Sequence, residues 1–165
     1  TNLKTLIAEM TNMSEQHDKG DIDVVIDGTR FHGDYRSIAE GINAMVNGHI
    51  AVKKKAMACV AEFGRGNFDA PLERFPGKKV FINNTIEEVR TNLKKLMRDV
   101  DYLADNARQG NLSNRADATQ HQGDYRRIVE TINALLEILV EPLRAVTESS
   151  GTLASSAEEL TAVSQ

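Results

Sequence analysis

Residues 20–46, GDIDVVIDGTRFHGDYRSIAEGINAMV, and residues 110–136, GNLSNRADATQHQGDYRRIVETINALL, align without a gap at an offset of 90. The chain therefore repeats itself, and a repeat constrains the architecture more tightly than any single element does. Gly33-Asp34-Tyr35-Arg36 stands opposite Gly123-Asp124-Tyr125-Arg126, and Ile42-Asn43-Ala44 opposite Ile132-Asn133-Ala134. A weaker copy begins at Gly66, GNFDAPLERFPGKKVFINNTIEEVRTNL, and is two residues shorter between its glycines. Gly20, Gly66 and Gly110 thus lie 46 and 44 residues apart.

Upstream of each leading glycine, apolar residues recur at intervals of 4, 3 and 4. They are Leu6, Met10, Met13 and the less apolar His17; Val52, Ala56, Cys59 and Phe63; Leu96, Val100, Leu103 and Ala107. This is heptad spacing and predicts a helix with a narrow seam. The glycine ends it, with Lys19, Arg65 or Arg108 in the last turn, where a cation suits the helix dipole. A connector follows with apolar pegs two and six positions on: Ile22 and Ile26, Phe68 and Leu72, Leu112 and Ala116. A second helix is predicted after Gly33, Gly77 or Gly123, with Asp34 and Asp124 placed to cap or favour its start. Its seam reads Ile38, Ile42, Met45; Ile82, Ile86, Val89; Ile128, Ile132, Leu135. Heptad phase then carries the second helix of one copy into the first helix of the next, with His49 and Leu93 at the joins and Leu139 at the exit. The expected divisions are 1–48, 49–93 and 94–140, with a different segment over 141–165.

Composition narrows the function classes. The chain has 165 residues, 41% hydrophobic, with no Trp and one Cys. A single Cys excludes an intrachain disulfide framework and a cysteine zinc cluster, and Cys59 falls at a core position as a small hydrophobe. The four His show no i, i+4 ligand pairing, so no metal is expected. A net charge of −4 with scattered Lys and Arg argues against a nucleic-acid footprint, and Lys53-Lys54-Lys55 reads as a solvated helix face. No apolar run approaches the roughly 20 residues that span a bilayer, and no signal-peptide pattern opens the chain. No phosphate loop or nucleophile–base set is present, so neither an enzyme activity nor a cofactor is expected.

Two architectures satisfy the helices. They fold back as an antiparallel, spectrin-like monomeric bundle, or each connector climbs beside its own helix so that the two helices of a copy run parallel. Fold-back turns usually take about 2–8 residues, whereas these connectors are longer and carry spaced pegs. The parallel arrangement is favoured. Two parallel helices with narrow seams cannot enclose a core alone, so a second chain is expected, giving a two-fold parallel four-helix bundle.

Helix, Gly, pegged connector, Gly, helix resembles the HAMP domain of bacterial signalling proteins, and the three copies resemble a poly-HAMP array. The expected fold class is all-α: a homodimeric parallel four-helix coiled coil repeated three times along one axis. Residues 49–79, HIAVKKKAMACVAEFGRGNFDAPLERFPGKK, are especially similar to the concatenated HAMP pairs of soluble haem-PAS aerotaxis receptors. Residues 149–165, SSGTLASSAEELTAVSQ, look like the start of the methyl-accepting chemotaxis signalling hairpin. The resemblance implies a cytoplasmic relay without chemistry, with a sensor upstream and, through the hairpin, a histidine kinase and coupling protein downstream. A poly-HAMP linker of a sensor histidine kinase is the alternative. Thr1 enters and Gln165 leaves mid-pattern, as in a fragment.

Beyond Leu135 the seam continues through Leu139, Leu143, Val146, Ser150, Leu153, Ala157 and Leu160. Two successive intervals of 4 form a stutter, which locally unwinds a coiled coil. Pro142 falls there too. The two seams are expected to be out of phase across Leu139, so tightening one loosens the other. Glu158-Glu159, among small residues, resembles a chemoreceptor methylation site.

Overall fold

The computed structural model describes residues 2–163; Thr1, Ser164 and Gln165, at the outer edges of the first and last expected segments, lie outside the described residues. Four helices carry the chain: α1 Asn2–Asp18, α2 Asp34–Gly64, α3 Val80–Arg108 and α4 Gly123–Val163. Short 3-10 turns at Gly28–Arg30, Gly77–Lys79 and Ala118–Gln120 mark the three connectors. No strand occurs among the described residues, and none of their helices is long and apolar enough to cross a membrane. The chain divides into two compact units, one through Ile86 and one from Glu87 onward.

α2 runs unbroken through Gly41 and Gly48. Each glycine costs about 1 kcal/mol against Ala, so the apolar faces on either side outweigh them. Pro142 lies inside α4 and leaves the Ile138 carbonyl without its usual helical donor.

α1, α2 and α3 end in one way. The Gly20 N–H donates to the His17 carbonyl at 2.9 Å and the Asp21 N–H to Gln16 at 2.9 Å. Gly66 with Asn67 and Gly110 with Asn111 repeat both bonds. This double closure needs a left-handed residue, and Gly20, Gly66 and Gly110 have φ of 98°, 86° and 80°. The second glycine of each connector is a different device. Gly33 stands at φ 55°, ψ −135° just ahead of α2, and Gly77 and Gly123 share its φ at 56° and 55°. A Cβ there would meet nothing within 4 Å, so the demand is on backbone rather than space. Gly33 itself is the N-cap of α2, without a side-chain cap. Asp34 and Asp124 sit one step later, in the first turn, where they complement the dipole instead of capping.

Contacts along the connectors fix direction. In the first copy, His17 Nε2 donates to the Val24 carbonyl at 2.8 Å, and further along the connector Arg30 pairs with Glu9. As the connector advances, its partners on α1 recede toward the helix start. Asn43 of α2 then bonds Ile26 in mid-connector, and Lys54 reaches back to Asp23 at 3.1 Å. α2 therefore descends in the direction of α1. In the unit after Ile86, Asn114 meets Asn106, His121 meets Asp99 and Asn133 meets Ala116, which places α4 parallel to α3 by the same logic. The middle connector also climbs back along its helix, Ala70 beside Cys59 and Glu73 beside Lys55. Two of the three consecutive lysines thus tie α2 to its connectors, Lys54 to the first and Lys55 to the second.

The two kinds of glycine make opposite predictions. Gly33→Ala should lower unfolding stability by about 1–3 kcal/mol, the usual cost of holding a side chain in a sparsely populated backbone region. Gly48→Ala, in helix interior with open space at its Cβ, should raise it by about 1 kcal/mol. Urea denaturation followed by helical circular dichroism reads both.

Candidate functional site

Each connector is seated by two side chains counted back from its second glycine. In the first copy these are Ile26 and Phe31, both 1% exposed. They lie in a core with Leu6, Met13 and Ala39, flanked by Val24, Tyr35, Ile42 and Val46. The corresponding residues are Ala70 and Phe75 in the second copy and Ala116 and His121 in the third, all buried. The expected pegs were counted forward from the first glycine, which lands two residues too far in the middle copy. Its two missing residues lie before the peg, so Ala70, not Leu72, takes the place of Ile26, and Leu72 is only half-buried. The +2 residues are not buried either. Ile22 is exposed, Leu112 is half-buried, and Phe68 packs edge-on to Phe63 with ring centroids 6.1 Å apart.

Side-chain amides hold the connector backbone. Asn43 accepts from the Ile26 N–H at 3.0 Å and donates to the Ile26 carbonyl at 2.8 Å. Asn133 does the same for Ala116, at 3.0 and 2.8 Å. In the second copy Asn83 accepts from the Phe75 N–H at 2.9 Å and donates to the Glu73 carbonyl at 2.8 Å. Sequence reasoning assigned these residues no role. Their signal was present: Asn43 and Asn133 recur at one place in the repeat, between apolar positions. Asp27 and Asp117 open the 3-10 turns of the first and third connectors. The Thr29 hydroxyl, then its N–H, holds the Asp27 carboxyl below the ordinary range, and Thr119 does so for Asp117.

The second helix of each copy carries two apolar stripes. One faces the connector: Ala39 and Val129 are buried, with Ile42, Val46, Ile132 and Leu136 packed against the same clusters. In the middle copy Asn83 and Ile86 take that side. The other stripe takes the remaining expected seam positions, since Ile42, Ile86 and Ile132 turn inward, and nothing among the described residues covers most of it. Ile38 is 47% exposed, Met45 60%, Val89 41%, Ile128 43% and Leu135 56%. Ile82 is half-buried. On the first helices, Leu6, Met13, Ala56, Cys59, Phe63 and Leu103 are buried, Val52, Leu96 and Val100 are half-buried, and Met10 is 39% exposed. Leu93, at a join, is half-buried.

Comparison with known proteins gives this arrangement a family. Residues 2–48 match the second HAMP domain of methyl-accepting chemotaxis protein McpB, residues 52–94 match HAMP N-terminal domain 3, and residues 120–155 match the HAMP domain. The chain is a tandem array of HAMP domains. It is also 41% identical over 92 residues to methyl-accepting chemotaxis protein McpB of Pseudomonas aeruginosa, a stretch covering 56% of this chain and 14% of that protein.

α4 runs on past these clusters as an exposed helix. Leu139, Leu143, Val146, Leu153 and Leu160 are all exposed, as are Pro142, Glu158 and Glu159.

Two measurements check the seating. Phe75→Ala should cost about 3–5 kcal/mol, as large-to-small changes in packed cores do, and Leu72→Ala clearly less; the reverse order restores the forward count. The lowered carboxyl of Asp27 makes its turn an acid-sensitive element. Its contribution is complete above the ordinary carboxylate range and disappears as pH falls through the lowered value. Thr29→Val should move the Asp27 carboxyl titration, followed by carbon NMR, back upward and leave that of Asp117 unchanged.

Proposed function

We propose that this chain is the relay segment of a bacterial chemoreceptor. Two copies lie side by side in parallel, and each HAMP domain is a four-helix bundle made of two helices from each chain. The segment works in the cytoplasm, receives a packing change from an upstream sensor, and hands it to a downstream helical hairpin that controls a histidine kinase through a coupling protein. It makes no membrane contact and carries out no chemistry of its own.

The uncovered stripe carries this reading. Ile38 and Met45 recur as Ile128 and Leu135, at the same phase and on the side away from the connector. Repeated exposed apolar side chains in register are what a partner helix covers. The partner offering the same pattern is a second copy. HAMP domain boundaries at 1–48, 49–93 and 94–140 accompany this reading, with the signalling helix from 141; the matches over 2–48 and 52–94 support the first two.

Relay follows from the seams. One bundle seam ends near Leu135 and another begins near Leu143, with the stutter at Leu139 between them. Two packings out of phase on one helix cannot both be ideal, so strain relieved in one is imposed on the other. Glu158 and Glu159 lie on the exposed helix beyond, where methylation would remove charge from a packing face and bias the balance.

Sedimentation equilibrium should give twice the chain mass of 18.2 kDa. In a Cys59→Ala background, single cysteines at Ile38, Met45, Ile128 and Leu135 should crosslink to their own copy on oxidation, and one at Glu40 should not. A monomer, or crosslinking without this periodicity, rejects the bundle. Spin-label distances on the two sides of Leu139 should change in opposite senses when Leu135→Ala loosens the HAMP side; changes of one sign leave the dimer and reject the relay.

A further inference from the structure

Each copy carries a charged residue on its first helix, eleven positions before the closing glycine, that pairs with the returning connector. Glu9 pairs with Arg30, Lys55 Nζ lies 2.5 Å from Glu73 Oε1, and Asp99 Oδ2 lies 2.5 Å from His121 Nε2. The position is shared and the chemistry is not. In the first two copies the pair lies outside the seat. Arg30, Lys55 and Glu73 are each more than half exposed, and the buried aromatic peg is another residue, Phe31 or Phe75. In the third copy both tasks fall on one residue. His121 occupies the position of Phe31 and Phe75, its side chain is 2% exposed, and it is also the group that pairs with the helix.

We propose that His121–Asp99 is a releasable latch, so that the third connector alone can be unseated by the loss of one polar contact. An exposed ion pair contributes little, and its loss leaves a buried phenyl ring undisturbed. A buried imidazole whose N–H loses its acceptor has no use for an apolar pocket and is driven toward water. The seat around it has Ala116 where the first copy has Ile26, as the second has Ala70. Other polar groups nearby are engaged. On α3, Lys95 donates to the Gln120 carbonyl at 2.7 Å. In the connector, Asp117 holds Thr119. At the start of α4, Asp124 pairs with Arg127 and Glu130 with Arg126, all more than half exposed, and Tyr125 is half-buried. A movement of α3 that carries Asp99 out of reach therefore releases the ring end of this connector, while Asn133 still holds Ala116. The same movement of Glu9 or Lys55 leaves its own connector seated. The latch concerns the packing of each chain and stands apart from the relay reading.

Amide hydrogen exchange of the whole chain, resolved by peptide mass spectrometry, tests it. Asp99→Ala should speed exchange in residues 111–122 at least tenfold. Glu9→Ala and Lys55→Ala should change residues 21–32 and 67–76 by less than twofold. His121→Phe should slow exchange of the third connector and, combined with Asp99→Ala, cancel the effect of that substitution; this pair also separates latch loss from general unfolding. Equal loosening of all three connectors by their own substitutions overturns the proposal, as does a His121→Phe chain that remains sensitive to Asp99→Ala.

Discussion

An extended segment lying in the groove between two helices has peptide groups to satisfy and no neighbouring strand to satisfy them. Every connector here meets that constraint. The solution is a side-chain amide, which offers an acceptor and a donor as a strand partner would. Asn43 and Asn133 hold both backbone groups of a single residue, the buried peg itself. Peg and clamp therefore act at one residue: the apolar side chain enters the core while its own N–H and carbonyl are held by the amide. The middle connector, two residues shorter, keeps the device and shifts it. Asn83 lies nearer the start of α3 and grips the backbone at Glu73 and Phe75. What is retained across the copies is the pairing of amide with peptide, rather than any one position.

The helices were legible because heptad spacing is redundant; many residues report the same phase. The parallel arrangement was legible from connector length and peg spacing, and the climbing contacts agree with it. The connectors were less legible because few residues set their register. Counting from Gly66 put Leu72 into the groove; counting back from Gly77 puts Ala70 there. The second glycine is the better origin, since its backbone conformation turns the chain into the next helix and so fixes what precedes it. Asn43 and Asn133 were passed over because a polar residue between apolar ones reads as a helix edge until the peptide opposite it is seen. His121 was passed over for a related reason: nothing marks an imidazole as a peg until its copies are known to be Phe31 and Phe75.

Two stripes on one helix explain a feature that the heptad pattern blurs. Ile38, Ala39, Ile42, Met45 and Val46 together make an apolar face wider than a two-stranded coiled coil needs. The structure separates them by partner. Ala39, Ile42 and Val46 belong to the chain's own connector and first helix, whereas Ile38 and Met45 face away. Beyond Leu136 the spaced apolar line runs through Leu139, Leu143, Val146, Leu153 and Leu160, with Ile138 and Val140 beside its start. In the proposed dimer a helix that needs two partners becomes one that needs a single type of neighbour, and the spacing stutter at Leu139 falls where the requirement changes.

The two stripes differ in kind as well as direction. Packing inside each copy is pinned by directional contacts: an amide clamp, a glycine turn, an ion pair. The outer stripe is Ile, Met, Leu and Val, whose association depends on area and hardly on angle, and Met45 adapts its shape at little cost. In the proposed dimer, helices of different chains could rotate or shift against each other by small exchanges of apolar contact, while unseating a connector would break several polar contacts together. Each helix–connector–helix unit then moves as one body, and the freedom for a relay lies between chains. The third copy is the exception. Its connector keeps the amide clamp of Asn133 but replaces a ring that seats itself with one that must be held by Asp99. Motion between chains can there become motion within a chain, immediately before the helix leaves the array.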